Sequence, residues 1–343
     1  MPALSSHPLS AAAISEGRRI RVTPIAPETE PKSSPRPRAP LLAGRYSITR
    51  YFDRGGTSKV YLGRDEISGT DVVIKILTDK AARCSVLRGH FLVGSRAALS
   101  VNHPNVVKVL AVREPDPGTP YLVMEVLRGE LMADVLGRKP QLPPRAVLSL
   151  AEQVANGLSA LHAAGIVHCD IKPDNLFLCE APGTAKIVKI LDFGLAEVEG
   201  HERFGDPQAV RGTAQFMAPE QVLGDDIDPR ADVYALGVVM FRMLTGQLPF
   251  DLKLSATLLR HQLFSPTPPP SWLCEDLDPA IDRIVQKAMS KNPDNRYGSA
   301  LEMSDDLERA LTGRVVLAQP NPANDVYVPR SKQAENAAVV LGR

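Results

Sequence analysis

No apolar run in this 343-residue chain comes near the roughly 20 residues that a membrane-spanning helix requires, and stretches such as residues 235–241 stop far short. The start of the chain offers no basic segment followed by an apolar core. Pro2 and Pro8 interrupt it and only the short patch at residues 11–14 is apolar, so no secretory leader is expected. Cysteine is scarce. Cys84, Cys169, Cys179 and Cys274 form no C-x-x-C pair, which argues against a zinc site or a disulfide framework and for a reducing, cytoplasmic setting. Net charge is nearly absent as well. Forty Lys and Arg against thirty-nine Asp and Glu leave +1, so no bulk field draws in nucleic acid or an anionic membrane. Neither is expected as a partner, and recognition must rest on local sites.

A hydrophobic content of 44% over this length supports one large domain or two lobes sharing a cleft. Residues 1–43 carry eight prolines, six serines and no aromatic residue, a composition that buries too little apolar surface to offset the entropy of ordering, and they read as a tail. Arg18, Arg19 and Arg21 within it read as solvated rather than as a nucleic-acid arm. From Tyr46 the pattern changes. Residues 46–53, 59–65 and 72–77 read as strands of an antiparallel meander, separated by Gly55-Gly56 and Ser68-Gly69 turns. Residues 84–101 form a weak helix pattern, and 106–112 and 121–126 are further strands. Beyond Pro144 the period becomes helical, with apolar stripes at Val147, Leu150, Ala151, Val154, Leu158 and Leu161, at Val233, Leu236, Met240 and Leu244, and at Ile281, Ile284, Val285 and Met289. Pro229 and Pro279 stand near two of the helix starts. The stripes read as core. The expected class is α+β, a small β-rich half followed by a larger helical one, with periodicity lost beyond Thr312.

Between the halves lies a polar cluster, His168-Cys169-Asp170-Ile171-Lys172-Pro173-Asp174-Asn175, followed after an apolar strand by Asp192-Phe193-Gly194. Moving a phosphoryl group demands positioning and charge neutralisation more than covalent partners, and carboxylates that hold metal beside a lysine are the groups that supply both. The set resembles the protein-kinase family, whose elements occur here in order between Asp53 and Glu220: a glycine-rich loop, a strand lysine, a catalytic loop, an Asp-Phe-Gly and an Ala-Pro-Glu. The resemblance covers residues 45 to 311 and implies a bilobal kinase domain over 44–312, with lobes 44–125 and 128–312 and a second tail at 313–343. The compact spacing and the run Gln247-Leu248-Pro249-Phe250 look like bacterial members.

That resemblance implies an ATP- and Mg²⁺-dependent protein serine/threonine kinase, with Mn²⁺ as the alternative metal. Lys75 resembles the strand lysine that holds the α- and β-phosphates. Asp170 would accept or orient the proton of the substrate hydroxyl, Lys172 would steady the transferring phosphate, and Asn175 and Asp192 would hold the metal. Lys172, two places after Asp170, and Thr213, in the segment ending Ala218-Pro219-Glu220, resemble serine/threonine rather than tyrosine kinases, and proteins bearing Ser or Thr are the implied substrates. Asp53, Gly55, Gly56 and Val60 belong to the loop that would cover ATP, the backbone at Glu125 and Leu127 would bond adenine, and Met124 would line the rear of the pocket. Glu130 either reaches the ribose or is a solvated carboxylate at a helix start. Glu220 with Arg296 resembles the family's buried ion pair, and Asp232 the residue that braces the catalytic loop.

Four departures bear on activity. Asp53 and Ser58 stand where the family places the outer glycines of the loop, so weakened nucleotide affinity is expected. Gly94 stands where a glutamate should pair with Lys75, and no glutamate occurs between Glu66 and Glu114. Either another carboxylate meets Lys75 or catalysis suffers. Cys169 replaces an arginine that in many kinases binds an activation-loop phosphate. Thr213 is the only hydroxyl residue between Leu195 and Glu220, so that switch is expected to be absent. These departures keep a second function open, a pseudokinase scaffold that binds nucleotide or partners without efficient transfer. A small-molecule phosphotransferase is disfavoured by Lys172 and the segment from Thr213 to Glu220. A regulatory protein partner that orders residues 84–101 is a further expectation.

Overall fold

The structure is a computed structural model that describes residues 42, 44–54, 57–116, 118–180, 186–201, 214–250, 256–320, 325, 327, 329 and 330. Gly55, Gly56, Thr213, the side chain of Asp53 and residues 1–41 lie outside the described residues. In the first half, β1 (Tyr46–Arg54), β2 (Ser58–Asp65) and β3 (Thr70–Leu77) form the expected meander. It is followed by α1 (Asp79–Arg83), α2 (Ser85–Ala98), β4 (Val109–Arg113) and β5 (Tyr121–Met124). Among the described residues the five strands form one antiparallel sheet in the order β1-β2-β3-β5-β4. The strand expected over 106–112 starts later for a reason. Val106 pairs in parallel with Ile190, and the backbone at Asn105 and Val107 bonds to Ile190, so this stretch ties the small half to the large one.

Helix α2 forms despite a weak local pattern and no side-chain cap at Cys84, because Phe91, Leu92, Gly94, Ser95 and Ala98 are buried. Tertiary packing rather than propensity holds it. Its outer side is pinned by Glu114, which accepts from Arg88 at 2.9 Å and from Arg96 at 2.5 Å.

The second half contains β6 (Gly129–Leu131), α3 (Met132–Arg138), α4 (Pro144–Ala163), β7 (Ile166–Val167), β8 (Leu176–Cys179), β9 (Ile187–Ile190) and β10 (Glu197–Val198). These are followed by α5 (Pro219–Leu223), α6 (Arg230–Thr245), α7 (Ala256–Phe264), α8 (Pro279–Ala288) and α9 (Ala300–Leu311). The three apolar stripes expected for α4, α6 and α8 all lie in the core. Helix α6 is buried on nearly every side, as an axle with α4, α8 and α9 packed around it. The α+β expectation, a β-rich half joined to a helical half, is what the structure shows. Among the described residues no helix is long and apolar enough to cross a membrane.

Helix α9 ends at Leu311, but the residues that follow are not all free in solvent. Val316, Ala318 and Tyr327 are buried, and the Tyr327 hydroxyl donates to Asp225 at 2.7 Å. Glu220 and Arg296 form a two-pronged pair at 2.6 and 2.8 Å with side chains almost wholly enclosed. Arg296 also donates to the carbonyls of Ser290, Arg230 and Lys291, so its remaining N–H groups are met. Arg296→Met is expected to destabilise the fold by about 3–5 kcal/mol, because a buried carboxylate is left alone, whereas Glu220→Leu with Arg296→Met recovers most of the loss. Denaturant unfolding of the single and double variants checks it, and equal losses in both would contradict it.

Candidate active site

The loop from His168 to Asn175, between β7 and β8, is held from below by Asp232. This carboxylate on α6 has 0% exposure and accepts from the backbone N–H groups of His168 and Cys169, each at 2.8 Å, and meets His162 Nε2 at 2.9 Å. Burial pushes the Asp232 pKa up, but the bonds and charge from His162 and the loop amides outweigh it, and the group stays below the ordinary carboxylate range. Those bonds hold Cys169 at φ 64°, a left-handed conformation that a non-glycine residue adopts only when its surroundings fix it. The His168 ring spans the loop and the next segment. Nε2 lies 2.8 Å from the Leu191 carbonyl and Nδ1 accepts from the Asp170 amide at 3.3 Å, so the tautomer with its proton on Nε2 satisfies both.

On this frame Asp170 is surrounded by donors. Lys172 Nζ reaches its two carboxylate oxygens at 3.0 and 2.7 Å, and Asn175 Nδ2 bonds its side chain at 2.9 Å and its carbonyl at 2.7 Å. Asp192 follows β9 and is also left-handed, at φ 63°. Its Oδ1 accepts from Gly194 N at 3.0 Å and from Lys75 Nζ, 117 residues away on β3, at 2.5 Å. Burial pushes the Asp192 pKa up, yet the Lys75 ammonium and the Gly194 N–H hold it down at about 2. Val60 is paired directly with Lys75 in the β2–β3 ladder, so the two side chains share one face of the sheet.

Among the sequence-predicted residues, Lys75, Asp170, Lys172, Asn175 and Asp192 therefore come together in two adjoining bonded groups. Glu125 and Leu127 lie in the link between the halves. The Glu125 amide is occupied by the Lys108 carbonyl at 3.1 Å, so this residue's carbonyl is what it can present to a purine. The Glu125 side chain bonds Lys108 N and Lys189 Nζ instead. Glu130 is engaged by Arg138 and by Lys186, the latter at 3.5 Å. Cys169, which stands in place of the phosphate-binding arginine, is half-buried, with Sγ 3.5 Å from the Val167 carbonyl.

Gly94 has a specific neighbour. A Cβ there would collide with the Phe193 carbonyl oxygen and stand 3.1 Å from Ala196 Cβ. The helix position without a glutamate is thus the position where α2 rests on the backbone of Asp192-Phe193-Gly194, and the carboxylate that meets Lys75 is Asp192. Phe193 is buried beside the His168 ring, with centroids 5.9 Å apart and an edge-on angle of 64°.

Two residues that sequence reasoning passed over belong to the frame. His162 sits on the stripe side of α4 with no local motif to mark it. Gln221 donates from Nε2 to the Cys169 carbonyl at 2.9 Å, and its only sequence signal is its place directly after the Ala-Pro-Glu run.

The donor set suits a hard divalent cation that keeps most of its water. One carboxylate, Asp192, and the Asn175 carboxamide oxygen, left over by the Nδ2 bonds, are the oxygens at hand, and among the described residues no cluster of three or more His, Cys, Asp or Glu offers a closed cage.

Comparison with known proteins agrees with this geometry. The protein kinase domain family matches residues 46–306. The chain is 39% identical over 274 residues to the serine/threonine-protein kinase Pkn1 of Myxococcus xanthus, covering 79% of this chain and 39% of that protein. It is 34% identical over 279 residues to PknB of Mycobacterium leprae, covering 80% of this chain and 44% of that one. To PknL of Mycobacterium tuberculosis it is 33% identical over 304 residues, 88% of this chain and 74% of that protein. The chain thus spans less than half the length of the first two and about three-quarters of the third.

Alanine at 94 sets two effects against each other. It raises helix propensity by about 1 kcal/mol, but its methyl group must displace backbone, and overpacking of that kind destabilises by about 1–3 kcal/mol. Gly94→Ala is expected to lower stability in a denaturant titration, and a stabilised variant would contradict the close approach of α2.

Proposed function

Because this chain belongs to the protein kinase family, we propose that it transfers the γ-phosphate of ATP to serine and threonine hydroxyls of proteins, with residues 44–312 as the working unit. The observation that supports this most strongly is the pairing of Lys75 with Asp192 and of Lys172 and Asn175 with Asp170 through bonds of 2.5 to 3.0 Å, the two groups being tied by the Leu191 N–H donating to the Asn175 carbonyl at 2.8 Å. The family uses ATP with a divalent metal, and magnesium is our assignment, since two protein oxygens suit an ion that retains water and phosphate oxygens as ligands. When bound, the metal supplies charge neutralisation at the phosphates.

In this reading the residues divide the work. Asp170 orients the acceptor hydroxyl and takes its proton, and Lys172, already on that carboxylate, offsets charge on the transferring group. Asn175 holds the Asp170 carboxylate through Nδ2, and its oxygen would hold the metal together with Asp192. Lys75 and Asp192 satisfy each other as the structure stands. With nucleotide and metal bound, the Lys75 amine would hold phosphate oxygens and the Asp192 carboxylate the cation. The Glu125 carbonyl and the Leu127 backbone would hold adenine, with Val60 on β2 on the same face of the sheet as Lys75. We read the setting as the cytoplasm, a view supported by four free thiols.

Incubation with labelled ATP, Mg²⁺ and a generic protein acceptor tests the reading. The unaltered chain is expected to label the acceptor, with Asp170→Asn slower by about 10²–10⁴-fold and Asp192→Asn at background. Equal background in all three would instead mark a scaffold without transfer. Activity is also expected to survive phosphatase treatment within about twofold, because Cys169 offers no guanidinium to a phosphate and Thr213 is the lone hydroxyl of residues 195–220. Abolished activity after that treatment, with a phosphate mapped to Thr213, would refute it.

A further inference from the structure

Gln221 occupies the third position of α5, where its Oε1 accepts from the Ala218 N–H at 3.0 Å. A side chain at this helix position commonly reaches back to the amide before the first turn, and glutamate does so as well as glutamine. What glutamate lacks is the second half of the contact. With Oε1 fixed on Ala218, the carboxamide nitrogen is directed at the Cys169 carbonyl, 2.9 Å away and 52 residues earlier in the chain.

That carbonyl belongs to the peptide group that leads into Asp170. The Cys169 N–H is held by Asp232 at 2.8 Å and the Asp170 N–H by His168 Nδ1 at 3.3 Å. Gln221 closes the remaining side, so the backbone around the catalytic carboxylate is gripped at consecutive polar groups. The grip matters because Cys169 sits at φ 64°, from which an unrestrained residue relaxes readily. Helix α5 is itself anchored, since the neighbouring Glu220 is locked to Arg296 at 2.6 and 2.8 Å. The linkage runs from a buried ion pair, through one carboxamide, to the loop that carries Asp170.

We propose that Gln221 is a positioning residue for phosphate transfer, coupling α5, which carries the end of the Ala-Pro-Glu run, to the catalytic loop through a permanent hydrogen bond. Such a bond sets the loop geometry without a phosphate on the activation segment. This inference rests on the kinase reading above. It accounts for how the loop is held from the α5 side although Cys169 has no charged group to reach across.

Gln221→Glu separates this role from a structural one, because it keeps the acceptor for Ala218, keeps the size and sets an oxygen against the Cys169 carbonyl in place of a donor. Gln221→Met, of similar length and with neither group, is the second variant. In the full chain, both are expected to lower kcat for protein phosphorylation by about tenfold while KM for ATP changes less than about twofold, the loss of one aligned hydrogen bond being of that size. The unfolding midpoint of the Glu variant is expected to stay at the unaltered value. Amide hydrogen exchange over residues 168–175 is expected to rise by about tenfold in both variants, with α6 unchanged. Unaltered kcat and exchange in the Glu variant would overturn the proposal, as would a kcat loss that tracks a lowered unfolding midpoint. An unaltered chain that transfers no phosphate would sink the kinase reading alone, and the exchange measurement would still decide whether Gln221 holds the loop.

Discussion

Everything at the site depends on one buried carboxylate accepting backbone hydrogen bonds from a strained loop. Asp232 lies in the first turn of a largely apolar helix and has 0% exposure, a position in which an unpartnered charge would not be tolerated. It is stable there because His162 and the amides of His168 and Cys169 surround it. The same bonds turn Cys169 left-handed and thereby direct Asp170 toward Lys172 and Asn175. Core stability and site geometry are therefore one arrangement in this protein, and disturbing the helix disturbs the chemistry.

The second constraint spans the two halves. Lys75 on the sheet and Asp192 after β9 meet at 2.5 Å, and the backbone tie between residues 105–107 and Ile190 holds their elements in register. With no acid on α2, the helix contributes a bare backbone surface at Gly94 on which Phe193 rests. Glu114 holds the outer side of α2 through Arg88 and Arg96, pairs that are partly exposed and so contribute only modestly. Loss of the glutamate is thus accompanied by a closer packing of α2, and the lysine still finds a carboxylate.

Much of this was legible before any coordinates. The stripes on α4, α6 and α8 are read directly from a period of 3.6, because one face of each must be buried and local spacing encodes that face. The candidate site residues were legible because three of them, Asp170, Lys172 and Asn175, fall within the eight-residue run from His168 to Asn175, and their chemistry is carried by residue type. Other features depend on contacts between distant segments. The partner of Lys75 is 117 residues away, the neighbour of Gly94 is a backbone atom, and Gln221 acts on a carbonyl, so none leaves a periodic trace. Tyr327 lies buried beyond the last helix in a stretch without regular pattern, which composition alone reads as a tail. The late start of β4 has the same origin, since Val106 pairs with the large half instead of its own sheet.

A crystal structure of the chain with Mg²⁺ and a non-hydrolysable ATP analogue tests the central claim most directly. The account predicts Lys75 Nζ transferred from Asp192 to the α- and β-phosphate oxygens, the metal shared by Asp192 and the Asn175 oxygen, and the terminal phosphate facing Asp170, with contacts of about 2–3 Å. A triphosphate bound away from these side chains, or Asp170, Asn175 and Asp192 facing separate surfaces with no common cavity, would contradict it.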